Sequence, residues 1–485
     1  MKSFGNIAKD SEIRAVASGA LTNGASVIVN ADNTVSVVAE TSITQSVGSE
    51  VVFESATTEY IASTFDSSNN KVVVAYKDDG NSNYGTAVVG TVSGTSISFG
   101  SPVVFLSNQV RFLSAAFASN ENKVVIAFRH DNSDGDPYAV VGTVSGTSIS
   151  FGSVSAIVTD TMTAEPIACI FDSGTGKIVV AWTNSAVFNF GYAAVGTISG
   201  TDISFGTGVI FESGATRDIS GTFDSTNGKA VIVFRDDADS DKGKAVVGTV
   251  SGTSISFGSA AEFESGDTRV TASTFDTDNG KVVIAYKDID DSSKGKAVVG
   301  TVDGTSISFG SPVEFESGNT SSISISYNQA AAKTVIFYAD GGDSSHGKFI
   351  EGTVSGTSIS FGSAVTFNAA STEYIASAYD SNSKVNVVSF HDNGNSSHGT
   401  SAVVRSAYSQ TNLTSENFVG FSDGAFADGQ SAIINTTNRI DRNQSSLTAG
   451  QTLFVQNNGT LGLTAGDPSV TAGTAISATE LIVKG

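Results

Sequence analysis

The stretch "GTVSGTSISFG", residues 90–100, recurs unchanged at 142–152, 248–258 and 352–362, and with one or two changes at 196–206 and 300–310. Successive copies start 52, 54, 52, 52 and 52 residues apart. A period near 50 residues, made of short apolar runs and turn residues, is typical of a β-propeller in which each repeat forms one blade. The spacing therefore predicts an all-β fold of radial sheets.

One repeat predicts four strands: A near 59–65, B at 71–77, C at 84–92 and D at 95–105. Ser93 and Gly94 join C to D as a two-residue hairpin, so both strands belong to one sheet. Strand B is continuously apolar, as expected when neighbouring sheets cover both its faces, and strand D alternates Ile97 and Phe99 with serines. The stretch after strand D is expected to cross to the next blade.

Strand A can be placed seven times, but the last repeat, with Tyr379 in its strand A, has no strand D. Residues 42–55, "SITQSVGSEVVFES", match the end of a D strand and precede the first A strand. We therefore predict a seven-bladed β-propeller closed by an N-terminal strand, which removes the open sheet edge. The predicted domains are 1–40, 41–408 (the propeller) and 409–485. Both ends should leave at the Ser-Gly edge and form one small β-rich module, which leaves the opposite face of the propeller open.

The net charge of the 485 residues is -22. This charge disfavours nucleic acid and anionic membranes as partners, because both bind basic surfaces. No apolar run is long enough for a signal peptide or a membrane span, so we expect the chain to fold in a cytoplasm without membrane insertion. The single cysteine, Cys169, excludes an intrachain disulfide and is expected to be a small buried residue.

The tail "SLTAGQTLFVQNNGTLGLTAGDPSVTAGTAISATELIVKG", 446–485, resembles the C-terminal segments of virion structural proteins from marine bacteriophages, especially cyanophages. The "GTVSGTSISFGS" unit resembles repeats in the same tail-fibre-like proteins, so the resemblance covers most of the chain. It implies a component of tail, fibre or capsid that is assembled in the host cytoplasm and located in the virion. It also implies a homo-oligomer with other virion proteins as partners, and a role at the host surface.

When the repeats are aligned with one another, the position directly after strand B is acidic in five of them. We call the residues at this position the acidic column. Two interpretations stand: capping of the B–C loops with weak surface ion pairs, or a ring of polar sites for glycans or Ca²⁺. Within "RDDADSDKG", 235–243, the alternating Asp237, Asp239 and Asp241 are the candidate Ca²⁺ ligands, although the loop lacks the bidentate Glu of an EF-hand; a solvated acidic loop is the other interpretation. No other cofactor is predicted. The column consists of Asp78, Asp236, Asp288, Asp340 and Asp392, with His130 and Asn184 in the remaining two repeats.

Repeat three departs from its siblings and reads "AWTNSAVFNFGYAAV" at 181–195, which includes the only tryptophan. Trp182 takes the position of Tyr76, so it is expected in the core. Phe188 takes the position of Ser82, a polar loop residue. Together with Phe190 and Tyr192, these aromatic rings either bind a ligand by stacking on sugars or anchoring a protein, or pack beneath an altered loop.

The four histidines, at 130, 346, 391 and 398, all lie in the B–C loop region. None stands in the order of a catalytic triad, and no metal-ligand or phosphate-loop spacing is present. The acids recur from blade to blade, whereas catalysis needs one asymmetric set of groups. We therefore predict a non-enzymatic virion structural protein whose propeller face contacts the host surface or another virion protein. A host-glycan-binding adhesin and a polysaccharide-degrading enzyme are the alternatives.

Overall fold

The computed structural model describes residues 12–131, 135–158 and 164–484, without the side chains of 164–166. The repeats form one unit, Gln45–Ser406, and the two ends of the chain form another, Met1–Thr44 with Ala407–Gly485. The boundaries predicted from sequence were 40/41 and 408/409. Among the described residues, no helix is long and apolar enough to cross a membrane.

The structure is all-β. The first strands are β1 (Glu12–Val16), β2 (Ser26–Val29), β3 (Val35–Val37) and β4 (Glu40–Ile43). The repeat unit contains β5 (Ser46–Val47), β6 (Val51–Asp66), β7 (Lys71–Asp78), β8 (Tyr84–Ser93), β9 (Ser96–Phe99), β10 (Val103–Ala118), β11 (Lys123–His130), β12 (Pro137–Ser145), β13 (Ser148–Phe151), β14 (Ser155–Ala156), β15 (Ala164–Asp172), β16 (Lys177–Asn184), β17 (Phe190–Ser199), β18 (Asp202–Phe205), β19 (Val209–Asp224), β20 (Lys229–Asp236), β21 (Lys242–Ser251), β22 (Ser254–Phe257), β23 (Ala261–Glu264), β24 (Thr268–Asp276), β25 (Lys281–Asp288), β26 (Lys294–Asp303), β27 (Ser306–Phe309), β28 (Val313–Glu316), β29 (Thr320–Asn328), β30 (Lys333–Asp340), β31 (His346–Ser355), β32 (Ser358–Phe361), β33 (Val365–Asp380), β34 (Val385–Asp392) and β35 (His398–Arg405). The last strands are β36 (Tyr408–Thr411), β37 (Phe418–Ser422), β38 (Ser431–Asn435), β39 (Ile440–Asp441), β40 (Thr452–Val455), β41 (Leu461–Gly462), β42 (Val470–Ala475) and β43 (Leu481–Val483).

Each repeat forms an antiparallel sheet in the predicted order A–B–C–D. In repeat one, strand B is β7, and it pairs with β6 on one side and β8 on the other. Its residues Val72–Tyr76 are fully buried, as predicted for a strand covered on both faces. The strands B of repeats two to six are β11, β16, β20, β25 and β30, and β34 belongs to the last, incomplete repeat. The repeat unit is a β-propeller.

The crossing from one sheet to the next is itself a strand, which the sequence did not indicate. Four strands of 16 residues (β6, β10, β19 and β33) run from the outer edge of one sheet to the inner edge of the next. Each contains a bulge, and in β6 the register shifts between Glu59 and Ala62 while Tyr60 adopts φ +51°. These continuous strands connect several blades into one hydrogen-bonded sheet.

The N-terminal strand completes the last repeat, as predicted. Ser46 and Val47 pair with Arg405 and Val404 of β35, and Val51 pairs with Ser401. The outer strand of the last sheet therefore comes from the beginning of the chain, and strand C of that sheet has no exposed edge.

A contact between neighbouring sheets explains why the last glycine of "GTVSGTSISFG" recurs. A Cβ placed on Gly258 would lie 1.9 Å from the carbonyl oxygen of Thr305, in the Ser-Gly-type hairpin of the next repeat. The same overlap occurs at Gly100 with Thr147. Only glycine lets the next hairpin pack this closely, so the repeated sequence forms the contact between blades.

The two ends of the chain pair with each other within the second unit. Strand β1 pairs with β38, β2 with β37, and β4 with β36. Strands β2 and β3 form a hairpin, and a separate sheet has the order β39-β43-β42-β40-β41. A single discontinuous β module made from both termini was predicted, and these pairings form it.

Candidate functional site

The acidic column after strand B is buried, with exposures between 3% and 7%. Asp78, Asp236, Asp340 and Asp392 are the N-caps of short 3₁₀ turns, and Asp288 accepts a hydrogen bond from the backbone N–H of Asp291 at 3.1 Å. Their carboxylates are therefore used inside the protein, which disfavours the column as a ring of sites for glycans or Ca²⁺. Loop capping, the other interpretation, agrees with these contacts.

Three of these aspartates also bind a lysine from strand C. Lys244 Nζ lies 2.8 Å from Asp236 and 2.7 Å from Asp239. Burial opposes the charge on Lys244, but the hydrogen bonds to both carboxylates more than offset it and raise the pKa of that lysine to about 12. Repeats five and six contain the same pair, Lys296 with Asp288 and Lys348 with Asp340.

The three aspartates of the predicted Ca²⁺ loop are held in ion pairs. Asp237 pairs with Arg217 at 2.9 Å, Asp239 pairs with Lys242 and Lys244, and Asp241 lies 3.5 Å from Arg235. Asp237 and Asp241 share Arg235 as a partner, so basic side chains neutralise all three carboxylates. No cluster of three potential metal ligands occurs in the described part of the chain.

Most interfaces between sheets contain the same aromatic contact. A phenylalanine from strand D of one repeat meets a ring on strand B of the next, with centroids 5.1–5.3 Å apart in all six cases. In three of them the strand B ring is a tyrosine that donates a hydrogen bond to a glutamate beside the phenylalanine, as Tyr76 does to Glu54 at 3.1 Å. Burial, and after it the charge of Glu54, raises the pKa of Tyr76.

The interface between repeats two and three lacks this contact. Ile157 takes the place of the phenylalanine, Val158 takes the place of the glutamate, and the ring on strand B is Trp182. A cavity of about 480 Å³ opens there, lined by 156–158 of repeat two and by parts of repeat three. Its volume lies within the range of small-molecule binding sites.

Two stacked rings belong to this cavity. Trp182 is fully buried, as predicted, and stacks on the half-buried Tyr192 with centroids 6.0 Å apart and planes 23° apart. The indole N–H of Trp182 has no hydrogen-bond partner among the residues that the structure describes. A buried donor without a partner is costly.

Gly208 lies directly against these rings. A Cβ on it would be 3.3 Å from the indole of Trp182 and 3.5 Å from the ring of Tyr192. The corresponding residues of the other repeats all carry a side chain: Glu50, Pro102, Val154, Ala260, Pro312 and Ala364. The cavity therefore depends on a glycine that only repeat three has at this position.

The rim comes from the B–C loop of repeat three. Asn184, Ala186 and Val187 line the cavity, and Asn184 Oδ1 accepts a hydrogen bond from the N–H of Ala186 at 3.0 Å. Asn184 is the repeat-three member of the acidic column, so a neutral amide stands where five siblings have a carboxylate. The described lining residues carry no charge.

Phe188 and Phe190 lie beyond the rim. Phe188 is 82% exposed and adopts φ +50°, and its ring lies 6.0 Å from that of Phe190. Phe190 begins β17 and is half-buried. The interpretation of Phe188 as a ring packed beneath an altered loop is therefore wrong.

The sequence pointed to Trp182 and Tyr192 but not to the residues that open the cavity. Ile157, Val158 and Gly208 are ordinary small or aliphatic residues, and only a column-by-column comparison of the repeats distinguishes them. Asn184 was in the acidic column without being singled out.

Comparison with known proteins supports the fold. The chain is similar to the BP39L lectin of Burkholderia pseudomallei, with a TM-score of 0.54 and 10% identity over 74% of this chain and 98% of that one. Weaker likenesses are the Aleuria aurantia lectin, solved with Fucα1-6GlcNAc (TM-score 0.41, 13% identity, 66% and 98% coverage), and the Trypanosoma rangeli sialidase, solved with the inhibitor DANA (0.40, 11%, 63% and 56%). No family model and no curated protein matches the chain. The likeness to the BP39L lectin shows the β-propeller fold.

Proposed function

We propose that this chain is a glycan-binding protein, an adhesin for host carbohydrates, and that it binds them in the cavity between repeats two and three. The observation that carries the proposal is the stacked pair Trp182–Tyr192 in a cavity whose described lining is uncharged, whereas a phenylalanine fills the same place at six other interfaces. Sugars present an apolar ring face that stacks on aromatic side chains, and hydroxyls that need hydrogen-bond partners. The lectin likeness agrees with this function, since its fold is the same.

The polar groups of the cavity suit a polyhydroxylated ligand. The indole N–H of Trp182 is an unused donor, and Asn184 and Thr207 supply side chains that both donate and accept. Sugar hydroxyls would satisfy these groups while one ring face lies on Tyr192.

Binding is favoured over cleavage. The described lining residues include no carboxylate and no histidine, whereas glycoside hydrolysis generally uses a pair of carboxylates at the scissile bond. A polysaccharide-degrading enzyme is therefore the weaker candidate.

The test uses Trp182 as its own reporter, because it is the only tryptophan of the chain. Titration with a panel of mono- and oligosaccharides should change its emission for a subset of sugars. Gly208→Val places a side chain in the cavity and should weaken that binding at least tenfold. Valine is native at the equivalent position 154, so the fold should tolerate the change, and Ala260→Val is the matched control.

Two results would contradict the proposal. One is a panel in which no sugar changes the emission and none is retained in a direct binding assay. The other is a folded Gly208→Val variant that binds as well as the parent.

Two further parts of the proposal concern the number of blades and the location of the protein. We propose that the ring has seven blades, supported by the pairing of β35 with β5 and β6; an image of the repeat unit viewed along the axis of the ring would count them. The resemblance to cyanophage virion proteins would place the adhesin, as a homo-oligomer among other virion proteins, on a particle that meets a host surface. Detection of the chain in purified particles, and inhibition of adsorption by an antibody against it, would test that location.

A further inference from the structure

Four aromatic rings of repeat three follow one another from the cavity to solvent. Trp182 pairs with Tyr192, and Asn184 pairs with Phe190, across β16 and β17. Directly paired residues of antiparallel strands point to the same sheet face, and so do residues two apart on one strand. Trp182, Tyr192 and Phe190 therefore share the face that borders the cavity, and Phe188 continues the series beside Phe190.

The spacing of the rings is regular. Trp182 and Tyr192 are 6.0 Å apart, Phe190 and Phe188 are 6.0 Å apart, and residues two apart on a strand are separated by about 7 Å. Their exposure increases outwards, from the fully buried Trp182 through the half-buried Tyr192 and Phe190 to Phe188 at 82%. We name this series the aromatic track.

By sequence, no other repeat carries rings at all four positions, although repeat two has the inner stacked pair, Phe128 and Tyr138, and repeat one has Tyr84 at the position of Phe190. In repeat four the positions of Tyr192, Phe190 and Phe188 hold Lys244, Lys242 and Ser240, and the two lysines are held in ion pairs with acidic neighbours. Ile210, which is 45% exposed, takes the position of Glu262, the partner of Lys242. Compared with repeat four, repeat three thus presents an apolar surface along the line that leaves the cavity; an apolar residue at the position of Ile210 is shared with Val104 and Val52.

We infer that the site takes an extended, uncharged oligosaccharide of three or more sugars, with one sugar in the cavity and the following ones on Phe190 and Phe188. This inference rests on the proposed function and specifies its ligand class. Each ring offers one stacking surface, so a chain of sugars gains contacts with each added unit, whereas a single sugar uses only the cavity. The described lining offers no cation to an anionic chain, and the net charge of -22 disfavours such a chain as well.

The experiment measures affinity against chain length. The probes are ladders of one to six sugars from neutral glucans, mannans, galactans and N-acetylglucosamine oligomers, with oligogalacturonates as the anionic arm. The proteins are the parent, Phe188→Ser (the residue type of siblings 82 and 240), Gly208→Val, and Ser240→Phe as the matched control in repeat four. Thermal unfolding of each variant establishes that it is folded.

The parent should bind a neutral trimer or tetramer at least tenfold more tightly than the monomer of the same sugar. Phe188→Ser should abolish this gain and leave monomer binding unchanged, whereas Gly208→Val should weaken both. Equal affinity for monomer and tetramer, or an undiminished gain in Phe188→Ser, would overturn the inference while the proposed function stands. Tighter binding of the anionic ladder would also overturn it. A parent that binds no sugar of any length would overturn both.

Discussion

Gly258 and Gly362 are the last residues of two copies of the same eleven-residue sequence. We nevertheless expect Gly258→Ala to destabilise the protein and Gly362→Ala not to. A Cβ on Gly258 would lie 1.9 Å from the backbone oxygen of Thr305, in the hairpin of the next repeat. A Cβ on Gly362 would meet nothing closer than the backbone oxygen of Glu351 at 3.9 Å. The last repeat has no C–D hairpin, because its outer strand comes from the beginning of the chain.

The difference in stability should be large. The obstruction at Gly258 is backbone, so no side-chain rotation can relieve it and the two blades must separate. Overpacking of this kind costs about 3 kcal/mol or more. Neither glycine adopts a positive φ, so Gly362→Ala should be neutral or stabilising by about 0.4–1 kcal/mol through the unfolded chain.

Thermal unfolding of the full chain measures the contrast. Gly258→Ala should lower the melting temperature by about 4 °C or more, and Gly362→Ala should leave it unchanged or slightly raised. Gly100→Ala should behave like Gly258→Ala, since it faces Thr147 in the same way. Equal shifts for Gly258→Ala and Gly362→Ala would refute both the contact between blades and the closure of the ring by the N-terminal strand.

Three further predictions follow from strain, charge and burial. Phe188→Gly should raise the free energy of unfolding by up to about 1 kcal/mol, because φ is +50° and the exposed ring packs on little; chemical denaturation measures it, and a loss of stability would contradict it. Asp78→Asn should stabilise the protein at pH 7, whereas Asp236→Asn should cost about 1.5–3 kcal/mol by breaking the contact with Lys244. Burial, and after it the charge of Glu54, raises the pKa of Asp78, so its ionised form opposes folding and the gain from Asp78→Asn should disappear below about pH 4; equal signs for the two variants at pH 7 would be inconsistent with this reasoning. Burial raises the pKa of Cys169 to about 12, so a thiol reagent at pH 8 should label it only as fast as the protein unfolds, and complete labelling of the native protein within minutes would exclude this.

The strands were predictable because their signals are local. Strand B was expected at 71–77 and is Lys71–Asp78, since a continuous run of valine, alanine and tyrosine suits a strand buried on both faces. The crossing segments were not predicted as strands, because their serine, threonine and glutamate residues carry no alternating pattern. Thr57 is extended because it pairs with His398, more than 300 residues away in the sequence, and such pairing leaves no local signal.

The candidate site was predictable only in part, for a related reason. Trp182 and Tyr192 stand out as large rings in a chain of small residues. The cavity beside them exists because Ile157, Val158 and Gly208 are smaller than the residues at the equivalent positions of other repeats. Two repeats contribute these residues. A small residue in place of a large one has no signature unless the neighbour that would have filled the space is known.

The positive φ of Phe188 indicates that this residue does not serve the stability of the fold. Siblings 82, 240, 292, 344 and 396 adopt the same left-handed conformation with serine, a small residue that suits an exposed loop. A phenylalanine there costs free energy and, at 82% exposure, recovers little of it by burial. Yet strand B and the C–D hairpin of the same repeat follow the common pattern, so the fold does not require the change. We therefore expect the free energy that Phe188 costs the isolated chain to be recovered in contact with another molecule, as the proposed oligosaccharide on the aromatic track would provide.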